Sequence, residues 1–430
     1  MLNTLQAEAL QLAKDGRSLF ITGPGGVGKS YLIQAIVDQL TDDEKVVAVT
    51  ALTGCAALLL GSKAKTIHSW AGIGLGKDPS SKLILNMNYR AKKRWKATDT
   101  LIIDEISMMT PELLEKLHQV AMVMRKSTDV FGGMQVILVG DFFQLPPVYR
   151  EGETLFAFES AVWKQLGLST VELTEIVRQD SPVFHSILKE ARVGALSEAS
   201  MEILRGRMTD AWKKEKIRPT LLFSRRAEVE TINENKLKGL KTDVVSFEAR
   251  TFVPLSLEAT PKIDIDRAVE KLDRDAPYKV KLDLRVGAQV MLIYNMKQEA
   301  GLVNGRRGII EGFTASMPSV PLVLFKGHSE AIPIPEAAWE SSELEGLKRQ
   351  QIPLILAYAL TIHKCQGATL DSAIIDVGRS TFECGQAYVA LSRVKNLEGL
   401  YIFDLDAEAF RVPQKVKMFY ESLGGGRAGE

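Results

Sequence analysis

The segment Gly23-Pro24-Gly25-Gly26-Val27-Gly28-Lys29-Ser30 restricts the possible folds of this chain more than any other feature. It lies between a short apolar run, Ser18 to Thr22, and a helical pattern from Lys29 to about Leu40. The spacing G-x-x-x-x-G-K-[ST] in that setting calls for a strand, a tight loop and a helix N-terminus in succession. Glycines let the backbone curl until several N–H groups converge, and the helix adds the positive end of its dipole. Such a loop holds phosphate. Gly23, Gly25, Gly26, Val27 and Gly28 supply the cradle, Lys29 neutralises charge on the β- and γ-phosphates, and the Ser30 hydroxyl ligates Mg2+.

A loop of this kind leaves a parallel sheet, and the sequence supplies the other strands. Val46 to Thr50, Thr100 to Ile103 and Met134 to Val139 are apolar without alternation, as strands covered on both faces require. Residues 1–15 place Leu2, Leu5, Ala9, Leu12 and Ala13 at helical spacing. The alternation of strand and helix predicts a doubly wound α/β lobe. A Gly-rich and then basic stretch, 71–95, interrupts it and reads as an insertion. A second alternation begins near Leu221 to Phe223, resumes at Pro353 to Ile362, and includes Ala373 to Val377 and Gly399 to Phe403. Between its halves, short β-type runs separated by turn residues predict a small β-rich insertion. The expected partition is 1–70 with 96–171 as lobe one, 71–95 as its insertion, 172–244 with 351–421 as lobe two, 245–350 as the β-rich insertion, and 422–430 as a flexible tail.

Composition narrows the setting. No apolar run reaches the length of a membrane span, and the N-terminus does not read as a signal peptide. Cys55, Cys365 and Cys384 are too scattered for a disulfide framework or a zinc site, so an intracellular, reducing compartment is expected. The net charge of +1 gives no sign of a nucleic-acid binder, so strand binding has to come from local grooves and stacking. Two basic runs, Arg90 to Lys96 and Lys213 to Arg218, fit that role but read first as solvated helix faces.

The catalytic carboxylates follow one strand–helix block after the loop. Leu101-Ile102-Ile103-Asp104-Glu105 ends a buried strand on two acids. Asp104 is expected to hold Mg2+ through water, and Glu105 to orient or deprotonate the attacking water. With the loop, this pair makes the chain a nucleoside triphosphatase. Gln144, in Gly140 to Val148, is placed to sense the γ-phosphate. Arg178 and Arg393 are candidates to reach the nucleotide from lobe two and stabilise charge on the transferring phosphoryl group, although an arginine read alone is more often an ordinary salt-bridge former.

Taken in order, these motifs resemble those of superfamily-one helicases of subgroup B, and most nearly the petite-integration-frequency (Pif) helicases. Gln6 matches the adenine-reading glutamine ahead of the loop. Thr50 to Ala57 and Thr66 to Ser69 resemble first-lobe strand-contact motifs, and Asp104 to Met108 and Gly140 to Val148 are close to the family forms. Glu172 to Gly194, with Arg178, Phe184, Leu188, Arg192 and Gly194, is similar to the segment that separates Pif helicases from their relatives. Thr361 to Asp371 and Tyr388 to Arg393 complete the set, with Cys365 where a serine is usual and Pro24 at a variable loop position.

The resemblance implies two RecA-like lobes and an ATP- and Mg2+-dependent motor moving 5′ to 3′ on single-stranded DNA. It implies action on single-strand/duplex junctions, forks, DNA–RNA hybrids and G-quadruplexes. It also implies nucleotide contact at Gly367, and strand contact at Thr53, Thr66, His68, Thr361, His363 and Lys364. A monomer is expected. Trp70 and Trp95, which bracket the first insertion, are candidates for stacking on bases or wedging a junction, with core packing the plainer reading. A helicase subunit of the RecD or phage type and an ATP-gated scaffold are the alternatives. The segment at Glu172 to Gly194 argues against the first, and an intact Glu105 against the second.

Overall fold

Leu19-Phe20-Ile21-Thr22 forms the first strand (β1), and all four residues are buried. Around it run β2 (Val47–Ala51), β3 (Lys65–Thr66), β4 (Thr100–Asp104), β5 (Gln135–Val139) and β6 (Ser169–Glu172). The computed structural model describes residues 2–425 apart from 62–63, 150–152, 180, 224, 297–301, 316–317, 342 and 366–367. The six strands pair in parallel in the order β3-β2-β4-β5-β1-β6. Each apolar run expected to be a strand is one, to within a residue or two. Because β1 lies between β5 and β6, their carboxyl ends form one row, and β4 joins it beside β5. Ligands of open α/β sheets gather at such carboxyl ends.

The chain packs as two units. The first comprises Met1–Ala195, Glu383–Val389 and Phe410–Glu430; the second comprises Leu196–Phe382 and Ala390–Ala409. This differs from the expected partition at both ends of lobe two. Residues 172–195 stay with the first unit because β6 pairs with β1, with Glu172 opposite Thr22. The C-terminal helix Gln414–Gly425 also belongs there, for its Phe419 packs on Phe158 with ring centroids 4.2 Å apart and on Phe20 at 6.0 Å. The expected tail therefore begins inside a helix, and 426–430 lie outside the described residues.

The first insertion is helical, Ser80–Asn86 and Tyr89–Ala97. Its basic run is largely solvent-facing, but Trp95 is fully buried and Trp70 nearly so, with ring centroids 4.5 Å apart. The Trp95 indole N–H donates to the Ala71 carbonyl at 3.0 Å. Stacking on bases is thus corrected to core packing, and the two rings fasten the insertion to the lobe.

In the second unit a parallel sheet runs Ala359–Thr361, Thr220–Phe223, Ala373–Val377, Leu400–Leu405. The insertion is β-rich as expected, with three antiparallel sheets among the described residues, but it also holds the helix Lys262–Asp275. It extends past the expected boundary, because Leu354–Leu356 pairs with Gln289–Leu292 in an insertion sheet. Arg307, fully buried on an insertion strand, donates to Asp371 at 2.8 Å and to Ser372 at 2.6 Å. A buried guanidinium is tolerated only when paired in this way. No helix among the described residues is long and apolar enough to cross a membrane.

Candidate functional site

The phosphate loop leaves β1 and enters the helix Lys29–Asp42. Three glycines in it, Gly23 against the Leu173 carbonyl, Gly26 and Gly28, face contacts that a Cβ would block. Gly26 has φ +90° and a Cβ there would lie 2.7 Å from Arg178 Cβ; Gly28 has φ +82° and a Cβ there would lie 2.8 Å from Gln6 Nε2. Gln6 reaches that position from the helix Thr4–Lys14, where it closes a capping box with Asn3. Its amide donates to the Val27 carbonyl at 3.3 Å. The expected adenine reader is therefore packed against the loop.

Arg178 is corrected in its lobe. Its backbone N–H donates to Gly26 O at 3.2 Å, and that of Val177 to the same oxygen at 2.9 Å. Pairing of β6 with β1 keeps the following chain against the loop, so Arg178 belongs to the first unit. Its nearness to the loop is retained, and its origin changes.

Lys29 Nζ donates to the loop's own carbonyls, Gly23 O at 2.7 Å and Pro24 O at 2.9 Å. Burial lowers its pKa, while Asp141, Glu105 and Asp104 oppose the shift. Gly25 N–H donates to the Tyr388 hydroxyl at 2.8 Å. Ser30 is exposed on the first turn of the helix.

At the end of β4, Asp104 is buried, and its Oδ1 accepts the Glu105 N–H at 2.8 Å. Burial and then the Glu105 charge push the Asp104 carboxyl up to about 7, against the pull of that hydrogen bond and of Lys29. Glu105 has φ 57° and ψ 42°, in the left-handed region. A non-glycine residue held there costs about 1–3 kcal/mol, a strain that concentrates at functional sites. Gln144, after β5, is almost fully buried, and its N–H donates to Asp141 O at 2.9 Å.

The donor set suits a magnesium nucleotide. Mg2+ favours a site of one or two protein oxygens completed by phosphate oxygens and water. Asp104 and Ser30 offer a carboxylate and a hydroxyl of that kind. The glycines at 26 and 28 let Arg178 and Gln6 pack directly against the loop backbone.

Of the expected strand contacts, Thr53 Oγ1 accepts from Ala56 N at 3.2 Å and Thr66 Oγ1 from Ser69 N at 3.3 Å, both at helix starts. Each hydroxyl retains its own hydrogen as a donor. His68 lines a notch of about 300 Å3 with Leu52, Leu75, Met108 and Lys116. In the second unit Thr361 ends its strand nearly buried. His363 and Lys364 lie on the short turn Ile362–Cys365, with side chains outside the described set, and Gly367 lies outside the described residues. Arg393 is buried and donates through Nη2 to Ser392 Oγ at 2.7 Å.

Sequence reasoning gave no role to Tyr388, Asp141, Arg192 or Tyr420. The first three lie within the motifs named from the sequence, but their partners are set by the fold and not by the local pattern. Tyr420 lies in none, and only its position in space singles it out.

The PIF1-like helicase family model matches residues 1–214, and the model for the DNA helicase Pif1 2B domain matches 269–313. The ATP-dependent DNA helicase PIF1 of Rattus norvegicus is 38% identical over 425 residues, which is 98% of this chain and 64% of the rat protein. The chain thus spans just under two thirds of that relative's length. The crystal structure of Pif1 helicase from Candida albicans superposes with a TM-score of 0.80 at 36% identity, covering 98% of this chain and 99% of that one. Bacteroides Pif1 in complex with ADP-AlF3 and single-stranded DNA gives a TM-score of 0.69 at 28% identity, covering 99% and 98%.

Proposed function

The chain belongs to the PIF1-like helicase family, and from that premise we propose that it is an ATP- and Mg2+-dependent DNA helicase. It translocates 5′ to 3′ on single-stranded DNA and opens duplexes at junctions and forks, DNA–RNA hybrids and G-quadruplexes. The observation that carries this reading is the meeting of Lys29, Asp104 and Glu105 at the carboxyl ends of β1 and β4.

Bound Mg2+, held by Ser30 and Asp104, would supply charge neutralisation on the β- and γ-phosphates. The protein's own groups do the rest. Lys29 has its hydrogen bonds on Gly23 and Pro24 carbonyls, and phosphate oxygens take them over when nucleotide enters. That exchange replaces neutral carbonyl acceptors with anionic phosphate oxygens, so the ammonium gains an opposite charge as well as an acceptor. Glu105 orients the attacking water and accepts its proton. Gln144 reports the γ-phosphate, Arg178 lies against the loop, and Arg393 stabilises charge on the transferring group. Thr53, Thr66, His68, Thr361, His363 and Lys364 hold the sugar–phosphate backbone, where hydroxyl and basic groups read no base identity.

ATP turnover measured with and without single-stranded DNA tests the reading. Strong stimulation by the strand is expected, and Lys29→Ala should reduce turnover by more than about a hundredfold while leaving most strand binding intact. Turnover indifferent to DNA, or equal in the variant, overturns it.

A further inference from the structure

We infer that Tyr420, on the C-terminal helix, is a positioning residue for ATP turnover that ties the phosphate loop to the segment bearing Gln144. The inference rests on the ATPase reading above. Its starting point is one hydroxyl. Tyr420 Oη lies 2.6 Å from Thr22 Oγ1, 3.3 Å from Asp141 Oδ1 and 3.2 Å from Phe142 N. Thr22 is the last residue of β1, immediately before Gly23, and Asp141 follows Gly140 off the end of β5.

Valence orders these contacts. A phenol has one hydrogen to give and two lone pairs to fill. Asp141, held by Arg192 through Nε to Oδ2 at 3.0 Å and Nη2 to Oδ1 at 3.0 Å, acts as a carboxylate and only accepts. Tyr420 therefore donates to Asp141 and accepts from the Phe142 N–H and the Thr22 hydroxyl. Every capacity of the hydroxyl is used.

The rest of the cluster fixes the ring. Tyr420 stacks on Phe143 at 4.6 Å, and the Arg192 guanidinium lies 4.7 Å from the Phe143 ring and 5.3 Å from that of Tyr420. Arg192 also reaches Glu172, the last residue of β6, at 3.3 Å. The network thus joins the carboxyl ends of β5, β1 and β6, three neighbours in the sheet. Gln144 lies on the same turn as Asp141, to whose carbonyl its N–H is bonded. Movement of either end changes where the loop and Gln144 stand relative to each other. Shifts of that size at a phosphoryl-transfer site cost turnover before they cost binding.

Tyr420→Phe retains the ring and removes the hydroxyl; Thr22→Val removes the same bond from the other side. In full-length protein with saturating single-stranded DNA, each should lower kcat about tenfold with the KM for ATP within about twofold. The double variant should be no worse than Tyr420→Phe alone, since the hydroxyl that Thr22 meets is already gone. Fluorescent-ADP affinity should hold, and hydrogen exchange at 22–30 and 140–145 should rise. Wild-type kcat in Tyr420→Phe overturns the inference. So does a parallel loss of kcat, nucleotide affinity and melting temperature in both variants, which would make the tyrosine a stability residue alone. If Tyr420→Phe fails to fold, Thr22→Val decides the matter by the same readings. If wild-type protein itself shows no turnover, the ATPase reading fails instead, and unchanged exchange at those segments would separately sink the link.

Discussion

At the scale of the residue, the phosphate loop is under close steric control. Gly26→Ala would impose both a φ of +90° on an L-residue and a Cβ 2.7 Å from that of Arg178. The loop has to shift, and nucleotide affinity should fall more than about tenfold, as an affinity loss of over 1.4 kcal/mol. Fluorescent-ADP titration checks this, and unaltered affinity would show that the loop has room to spare. The loop, Asp104 and Glu105 were legible in the sequence because strand, spacing and residue type all specify one geometry. Arg178 was legible as a neighbour of the phosphate loop but not as a member of the first unit. Its lobe depends on β6 pairing with β1, a contact about 150 residues apart in sequence that no local pattern encodes. Tyr388 and Tyr420 were not legible as loop partners, since a tyrosine hydroxyl has no positional signature until the fold brings it to a donor or acceptor.

At the scale of the element, the C-terminal helix is the least expected part. Its apolar spacing shows that one face is buried, but hydrophobic burial is non-directional and does not name the surface that receives it. The aromatic cluster of the first unit does. Phe419 makes ring contacts with Phe20, Phe142, Phe158 and Trp163. Phe419→Ala should destabilise the first unit by about 2–3 kcal/mol, below the 3–5 kcal/mol of a fully buried phenylalanine because its edge is partly exposed. Thermal melts followed by near-ultraviolet circular dichroism test this. A loss under about 0.5 kcal/mol, the size of an ordinary surface change, would mean that the helix does not dock as described. The same reasoning explains the tryptophans. Trp70 and Trp95 flank a basic, polar insertion, and their burial follows from packing on each other and on the lobe.

At the scale of the whole molecule, two parallel sheets and two insertions were predictable from the alternation of strand and helix patterns. The points where the chain passes between units were not. The first unit reclaims 383–389 and 410–430 after the second has been built, so the phosphate loop is finished by residues from the far end of the chain. The second unit keeps its insertion through the buried Arg307 and its bonds to Asp371 and Ser372, an arrangement that hydropathy alone would not have placed in a core. The central claim is directional motion on a single strand driven by nucleotide hydrolysis. Unwinding of one duplex carrying either a 5′ or a 3′ single-stranded tail, with ATP and Mg2+, tests it most directly. The account predicts strand separation from the 5′-tailed substrate and none from the 3′-tailed one; separation from the 3′ tail, or from neither, would contradict it.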